Sequence, residues 1–528
     1  MKDWWRGGII YEIYPRSFKD SNGDGIGDLK GIERKLEHIA SLGVDAIWIA
    51  PFAKSPQKDF GYDVSDYCAV DPQFGTIDDF DRVAKKAHAL GLKVLVDYVI
   101  SHTSDEHGWF KESRASRTNP KAAWYVWADM LKDGTPPNNW LSVFGGSSWQ
   151  FDTRRMQYYL HNFLKEQPDL NYHNKEVQDA TLAEMRFWLE RGADGFRLDA
   201  LNFAMHDPSL KSNPHVENPQ ASEQPLSNPY SYQRHVYDKS QDALLPFLQR
   251  IRAQLDEFGA TASLAEVGDD SSRTMQLMAD YAGSGDKVHM CYGFDFLGPN
   301  CTPLHFKTII EKFETRAGGA WPCWAFSNHD CIRQVSRWMR PGEDPAKVAK
   351  FAAALLLSLR GSICMYQGEE LGLTEADLRF DQLKDPAGIT FWPEYKGRDG
   401  CRTPMPWDGE ADNAGFGEGT PWLPVEYAHL PMAVKAQEAD AGSVLNFYRK
   451  AIGIRQGSAA LKAGSVEVLE AGQDVLVLKR GAEDGAVTCV YNFGSAPIPV
   501  SKEFGKDLIL LSGNGVMIEP RGFVWLRT

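Results

Sequence analysis

No stretch of this chain approaches the roughly 20 consecutive apolar residues that a bilayer-spanning helix needs. The opening Met1-Lys2-Asp3-Trp4-Trp5-Arg6 lacks the apolar core of a signal peptide. A soluble, cytoplasmic protein is therefore the expectation. Positive charge is also short: 57 Lys and Arg against 71 Asp and Glu leave a formal net charge of -14 over 528 residues. That balance argues against nucleic acid and anionic membranes as partners. The eight cysteines are scattered without a CxxC pair, which excludes a disulfide framework or a thiolate zinc site and leaves free, buried thiols. There is no HExxH pair, no short-period repeat and no low-complexity tract.

What the chain does have is alternation. Apolar strand patterns at 9–14, 46–51 and 94–99 are separated by amphipathic helix patterns at 29–42 and 77–90, closed by Gly43 and Gly91. Near-continuously apolar strands between such helices mark βα units around a buried parallel sheet. The alternation breaks over 103–172, a Trp-, Pro-, Asn- and Gly-rich stretch that reads as a small inserted domain. It resumes with strands at 195–199, 262–267, 289–296, 324–330 and 361–367, and with helices at 176–190, 239–258, 271–282, 304–315 and 345–359. Eight strands with interleaved helices predict an α/β protein, a (β/α)8 barrel spanning 1–102 and 173–460. The alternative, a doubly wound sheet, lacks a Gly-rich phosphate turn after its first strand. Stretches 202–238 and 372–444 read as long loops, and short strands from 466 onward predict a C-terminal antiparallel β domain over 461–528.

Barrels of this type gather their active sites at the C-terminal strand ends. There the sequence places Asp97 and His102, Arg197 and Asp199, Glu266, and His329 and Asp330, with Tyr62 and Asp63 after the second strand. Arg197 and Asp199 are two apart on one strand and share a face. The cation favours an ionised Asp199, which can attack an electrophilic carbon; taken alone, the pair also suits a structural ion pair. Glu266 follows Ser263-Leu264-Ala265, and burial there favours a protonated acid. Two such carboxylates suit glycoside chemistry, and a histidine–carboxylate metal site is the rival.

These segments resemble the α-amylase family of glycoside hydrolases, and within it the oligo-1,6-glucosidase and α-glucosidase branch. The resemblance rests on Asp97-Tyr98-Val99-Ile100-Ser101-His102, Gly195 to Asp199, Ala265-Glu266-Val267, and Phe326-Ser327-Asn328-His329-Asp330. Gln167-Pro168-Asp169-Leu170-Asn171, Gly61-Tyr62-Asp63-Val64 and Gly397-Arg398-Asp399 add to it. Ser101 stands where the family usually has Asn, and Pro406 where it usually has Gln.

The resemblance implies Asp199 as nucleophile, Glu266 as acid and base, and Asp330 as the group that binds and distorts the sugar. It further implies that Arg197 holds the nucleophile and that His102 and His329 bond sugar hydroxyls. Asp63 and Arg398 would grip the non-reducing end, Tyr62 would stack on the ring, and Phe163 would wall the cleft. Retention of configuration would follow, with the two carboxyls roughly 5–5.5 Å apart. Ala200, after the nucleophile, points to α-1,4 links such as those of maltose. A transglucosylase, an α-1,6-acting oligo-1,6-glucosidase, a sucrose-acting glucosyltransferase or isomerase, and a non-catalytic transporter accessory subunit are the alternatives; the last typically lacks the carboxylates. Partners are then small α-glucosides, with alcohols or sugars as acceptors.

Asp20-Ser21-Asn22-Gly23-Asp24-Gly25 matches the opening of a calcium loop without its closing Glu, since position 31 is Gly. It is either a solvated acidic turn or a cation loop. The family carries a structural cation here, which implies Ca²⁺ or Mg²⁺ held by Asp20, Asn22, Asp24, the Ile26 carbonyl and Asp28. No organic cofactor is expected.

Overall fold

The computed structural model describes residues 3–219, 225–316, 318–483, 485–513 and 516–527. Met1 and Lys2 of the opening segment lie outside the described residues, as do 220–224 of the 202–238 loop and 484, 514–515 and 528 near the C-terminus. Among the described residues no helix is long and apolar enough to cross a membrane.

The parallel strands are β1 (Ile9–Ile13), β2 (Ala46–Ile49), β3 (Lys93–Val99), β4 (Gly195–Asp199), β5 (Ala262–Val267), β6 (Met290–Gly293), β7 (Cys323–Ala325) and β8 (Ser362–Tyr366). Pairing runs in order from β1 to β6, and β1 also pairs with β8, which pairs with β7. A parallel bridge between Cys291 and Pro322 joins the remaining edges and closes the (β/α)8 barrel. Outside it lie α1 (Leu29–Ser41), α2 (Ile77–Ala89), α3 (Lys175–Glu190), α4 (Leu245–Glu257), α5 (Ser271–Ala282), α6 (Pro303–Arg316) and α7 (Pro345–Ser358). Asp28 caps α1 through the Gly31 N–H, and Thr76 with Asp79 forms a capping box on α2.

Side chains alternate along each strand. Ile9, Tyr11, Ile13, Ile47, Ile49, Phe196 and Leu198 face the helices and pack with their apolar stripes. Ile10, Ala46, Leu95, Leu264, Met290, Cys323 and Cys364 face inward and fill the lower barrel. One step further up the same inward rows stand Glu12, Trp48, Asp97, Arg197, Glu266 and Tyr292, all buried. Pleat parity therefore turns an apolar floor into a polar roof. Gly195 permits the β4–β5 contact: at φ +143 a Cβ there would lie 1.7 Å from the Ala262 carbonyl oxygen.

Several predicted elements are shorter than their patterns, among them the 289–296 strand, which spans Met290–Gly293. β7 stops at Ala325 because the segment carrying His329 and Asp330 turns away, with the Asp330 N–H donating to Asn328 Oδ1 at 2.9 Å. The 239–258 helix starts only at Leu245, where Pro246 stands in its first turn and Ser240 has φ +58. None of the eight cysteines forms a disulfide, and the five buried ones act as small packing side chains.

Within 103–172 three antiparallel strands, Trp127–Ala128, Gln157–Leu160 and Trp149–Asp152, pack around Trp140, Trp149 and Leu160. The 202–238 loop is stapled onto this insertion. Asn139 and Asn213 exchange amide and backbone hydrogen bonds at 2.9 and 2.8 Å, and Trp140 Nε1 donates to the Lys211 carbonyl at 2.8 Å. After the barrel, five strands form one antiparallel sheet: Ser465–Leu469, Val475–Ala482, Gly485–Asn492, Asp507–Leu511 and Phe523–Arg527.

Candidate active site

The site is built around one guanidinium. Arg197, wholly buried on β4, gives Nη1 to Asp199 Oδ1 at 2.5 Å and to Asp97 Oδ1 at 3.2 Å, and Nη2 to Glu266 Oε1 at 2.7 Å. The Trp48 ring lies beneath it, 4.7 Å from Cζ, and Tyr292 Oη accepts from Nη2 at 2.8 Å. Tyr292 also donates to Glu266 Oε1 at 2.9 Å, while the Ala200 N–H donates to Glu266 Oε2 at 3.1 Å. Sequence reasoning paired Arg197 with Asp199 alone and isolated Glu266 among apolar neighbours. Instead, three carboxylates share one cation.

That sharing changes the protonation argument. Burial pushes Asp199 well above the usual carboxylate range; Arg197 opposes this, and Glu266, Asp97 and Asp330 add to it. Burial likewise pushes Asp97 up to about 6, against Arg197 and Trp48. The expected depression of Asp199 by its arginine is therefore reversed. Two of the three carboxylates, Asp97 and Asp199, are thus raised by burial around one guanidinium, and each raises the other.

Asp330 sits against two guanidinium groups and an imidazole. Arg402 Nη2 donates to its Oδ1 at 2.7 Å, Arg398 Nη1 at 3.3 Å, and His329 Nε2 lies 3.4 Å from Oδ2. Burial would raise Asp330, but His329, Arg398 and Arg402 outweigh it and hold it below the usual range, hence ionised. The His329 ring is stacked between Tyr14 and Tyr62, with centroids 5.6 and 5.3 Å away.

Not every expected residue faces the cleft as expected. Asp63 is wholly buried, and its oxygens accept from the Lys58 and Asp59 N–H groups and from Ser55 Oγ at 2.9–3.0 Å. It staples its own loop and does not meet Arg398. The partner of Arg398 is Asp59, 2.7 Å from Nη2, together with Asp385, also at 2.7 Å. His102 is also turned inward. Its Nε2 lies 3.1 Å from the Tyr62 carbonyl and its Nδ1 2.9 Å from Ser101 Oγ, so both nitrogens have protein partners. Burial lowers His102 to about 4, leaving a neutral ring. Phe163 stands 5.2 Å from His102 and 5.1 Å from Phe203, and Phe144 lies under Arg398 at 5.2 Å. Tyr62 donates to Asp97 Oδ2 at 3.2 Å, so its ring is part of the site's wall.

Residues 12–464 match the family profile described as alpha amylase, catalytic domain. The chain belongs to the alpha-amylase family. It is 54% identical over 522 residues to a probable alpha-glucosidase of Rhizobium meliloti, covering 98% of this chain and 94% of that one. It is 37% identical to an oligo-1,6-glucosidase of Heyndrickxia coagulans, covering 89% and 88%. An alpha-glucosyl transfer enzyme of known structure, XgtA, superposes with a TM-score of 0.95 at 50% identity, with 99% of each chain covered. The chain is thus a glycoside hydrolase of the alpha-amylase family.

For this alpha-amylase family member, sequence reasoning missed Asp59, Asp385 and Glu12. Asp59 shares a loop with Asp63, so position alone did not separate them. Glu12 carried a usable signal: it has the inward parity of Ile10 and lies nearer the working end of β1. In the 20–28 loop the donors are all hard oxygens, a set that suits Ca²⁺ or Mg²⁺. Asp20 accepts from the Asn22, Gly23 and Gly25 N–H groups, and Asp28 from Ser21 and Gly31. Asn22 Nδ2 donates to Asp24 Oδ2 at 3.0 Å. Among the described residues no three His, Cys, Asp or Glu side chains are grouped to hold a metal.

Proposed function

We propose that this enzyme releases glucose from the non-reducing end of short α-glucosides with retention of configuration. Arg197 carries the reading, because it holds Asp199 and Glu266 on its two terminal nitrogens. In the first step an Asp199 carboxylate oxygen attacks the anomeric carbon and the bond to the leaving oxygen breaks. Glu266 gives that oxygen its proton. In the second step Glu266 takes a proton from water, whose oxygen attacks the same carbon and frees Asp199. The ionised Asp330, with His329, bonds ring hydroxyls as positive charge develops. The Arg398–Asp59 pair closes the end of the cleft and receives the non-reducing sugar edge, while Tyr62, Phe144 and Phe163 supply apolar faces.

An alcohol or sugar hydroxyl replacing water in the second step gives transglucosylation, a reading supported by the similarity to an alpha-glucosyl transfer enzyme. Ala200 supports a preference for α-1,4 links. The deciding experiment is proton NMR of nitrophenyl α-glucoside hydrolysis: α-glucose must appear first, and β-glucose first would refute retention. Maltotriose, isomaltose and sucrose, with and without an added alcohol, then separate hydrolysis, transfer and linkage.

The proposal includes a structural Ca²⁺ or Mg²⁺ held by Asp20, Asn22, Asp24, the Ile26 carbonyl and Asp28, and a cytoplasmic location. A chelator should lower the melting temperature, and an unchanged value refutes the cation. Cell fractionation tests the location.

A further inference from the structure

We propose, resting on the glucosidase reading above, that Glu12 is a positioning residue: as a neutral acid it donates to His329 Nδ1 and so keeps the imidazole proton on Nε2, facing Tyr62 Oη and Asp330.

Glu12 lies in the apolar run Ile9–Ile13, yet its side chain points into the barrel and is wholly buried. Its Oε1 is 2.5 Å from His329 Nδ1, and its Oε2 has no hydrogen-bond partner. A carboxylate buried with one bare oxygen is costly, whereas a neutral acid leaves only an unbonded carbonyl. Among the described residues the cation that most favours its ionisation is Arg197, and that guanidinium already serves Asp97, Asp199 and Glu266. A charged Glu12 would be the fourth anion around it, with Asp330 also close. Burial drives Glu12 well above the usual carboxylate range, against Arg197, and burial drives His329 down, so both partners are neutral.

A neutral pair fixes the direction of every proton in the row. If Glu12 donates, Nδ1 accepts, and the ring proton must sit on Nε2. Nε2 is 2.6 Å from Tyr62 Oη and 3.4 Å from Asp330 Oδ2. Tyr62 can then accept from Nε2 while donating to Asp97 Oδ2 at 3.2 Å. The opposite tautomer would make Nε2 an acceptor, turn the Tyr62 hydroxyl away from Asp97, and place a lone pair against the Asp330 carboxylate. Tyr14 and Tyr62 clamp the plane of the ring but not its orientation within that plane. Its two nitrogen contacts set that orientation, and Glu12 supplies one of them.

The test compares Glu12→Gln with Glu12→Met. Gln retains a donor to Nδ1 and no charge; Met retains the bulk and no donor. E12Q should keep kcat/KM on maltose within about fivefold, while E12M should lose about 10²-fold, mostly in kcat. Equal losses in both variants, or none in E12M, would overturn the proposal. Nitrogen-15 NMR of labelled histidine, with His329 assigned through a His329→Asn variant, reads the tautomer directly. A protonated Nε2 and bare Nδ1 in the wild type are expected, and a protonated Nδ1 would overturn it. This readout needs no substrate and survives a misfolded E12M, so its failure is distinct from failure of the glucosidase reading.

Discussion

Arg398 pairs with Asp59 across 339 positions of sequence, Nη2 to Oδ1 at 2.7 Å, while Asp63, four residues on, faces its own backbone. The two acids therefore predict opposite phenotypes. Asp59→Asn removes one partner of a buried pair at the end of the cleft and should lower kcat/KM on maltose by about 10²-fold, chiefly through KM. Asp63→Asn loosens the loop staple and should act mainly on melting temperature. Steady-state kinetics and thermal denaturation of both variants check this, and equal kinetic losses would refute it.

Glu266→Gln should reduce turnover of maltose by about 10²–10⁴-fold, the usual worth of general acid–base catalysis. The first step should recover with a nitrophenyl glucoside, whose leaving group needs little protonation. A burst of nitrophenol followed by slow turnover is the expected trace. No difference between the two substrates would remove Glu266 from its assigned role.

Ala200 has φ 43 and ψ 41, a left-handed backbone that a β-branched side chain adopts at a cost of about 1–2 kcal/mol. Its N–H also donates to Glu266. Ala200→Val should therefore lower the melting temperature while shifting the maltose-to-isomaltose ratio towards isomaltose. An unchanged ratio would sink the proposed link between this position and linkage.

Asp169, buried at the join of the inserted domain, is pushed up to about 8 by burial, with the Asn162 donors opposing. A folded-state value raised above the unfolded one means that folding binds the proton. Its stabilisation is complete below the unfolded value near 4 and is lost as pH rises through 8. Asp169→Asn cannot ionise, so its melting temperature relative to wild type should rise by a few degrees between pH 5.5 and 8.5. Parallel curves would refute the buried-proton account.

The barrel was legible because its strands are apolar on both faces over much of their length, a pattern that surface strands do not show. The acids at the strand ends were legible for the complementary reason: nothing else places charge at the close of so many apolar runs. What escaped was direction. Asp59 and Asp63 have the same side chain in the same loop, and only the fold decides which one turns towards Arg398. Arg402 and Asp385 come from a stretch with no periodicity, so their meeting with Asp330 and Arg398 had no local signal. Glu12 could have been found by counting strand parity from Ile10.

The two hydrogen bonds between the Asn139 side-chain amide and the Asn213 backbone, with Trp140 anchored on Lys211, tie together two chain segments about seventy residues apart. A graft that imports either segment from a relative will meet a mismatched counterpart. Redesign of either segment should therefore move both pieces as a single cassette.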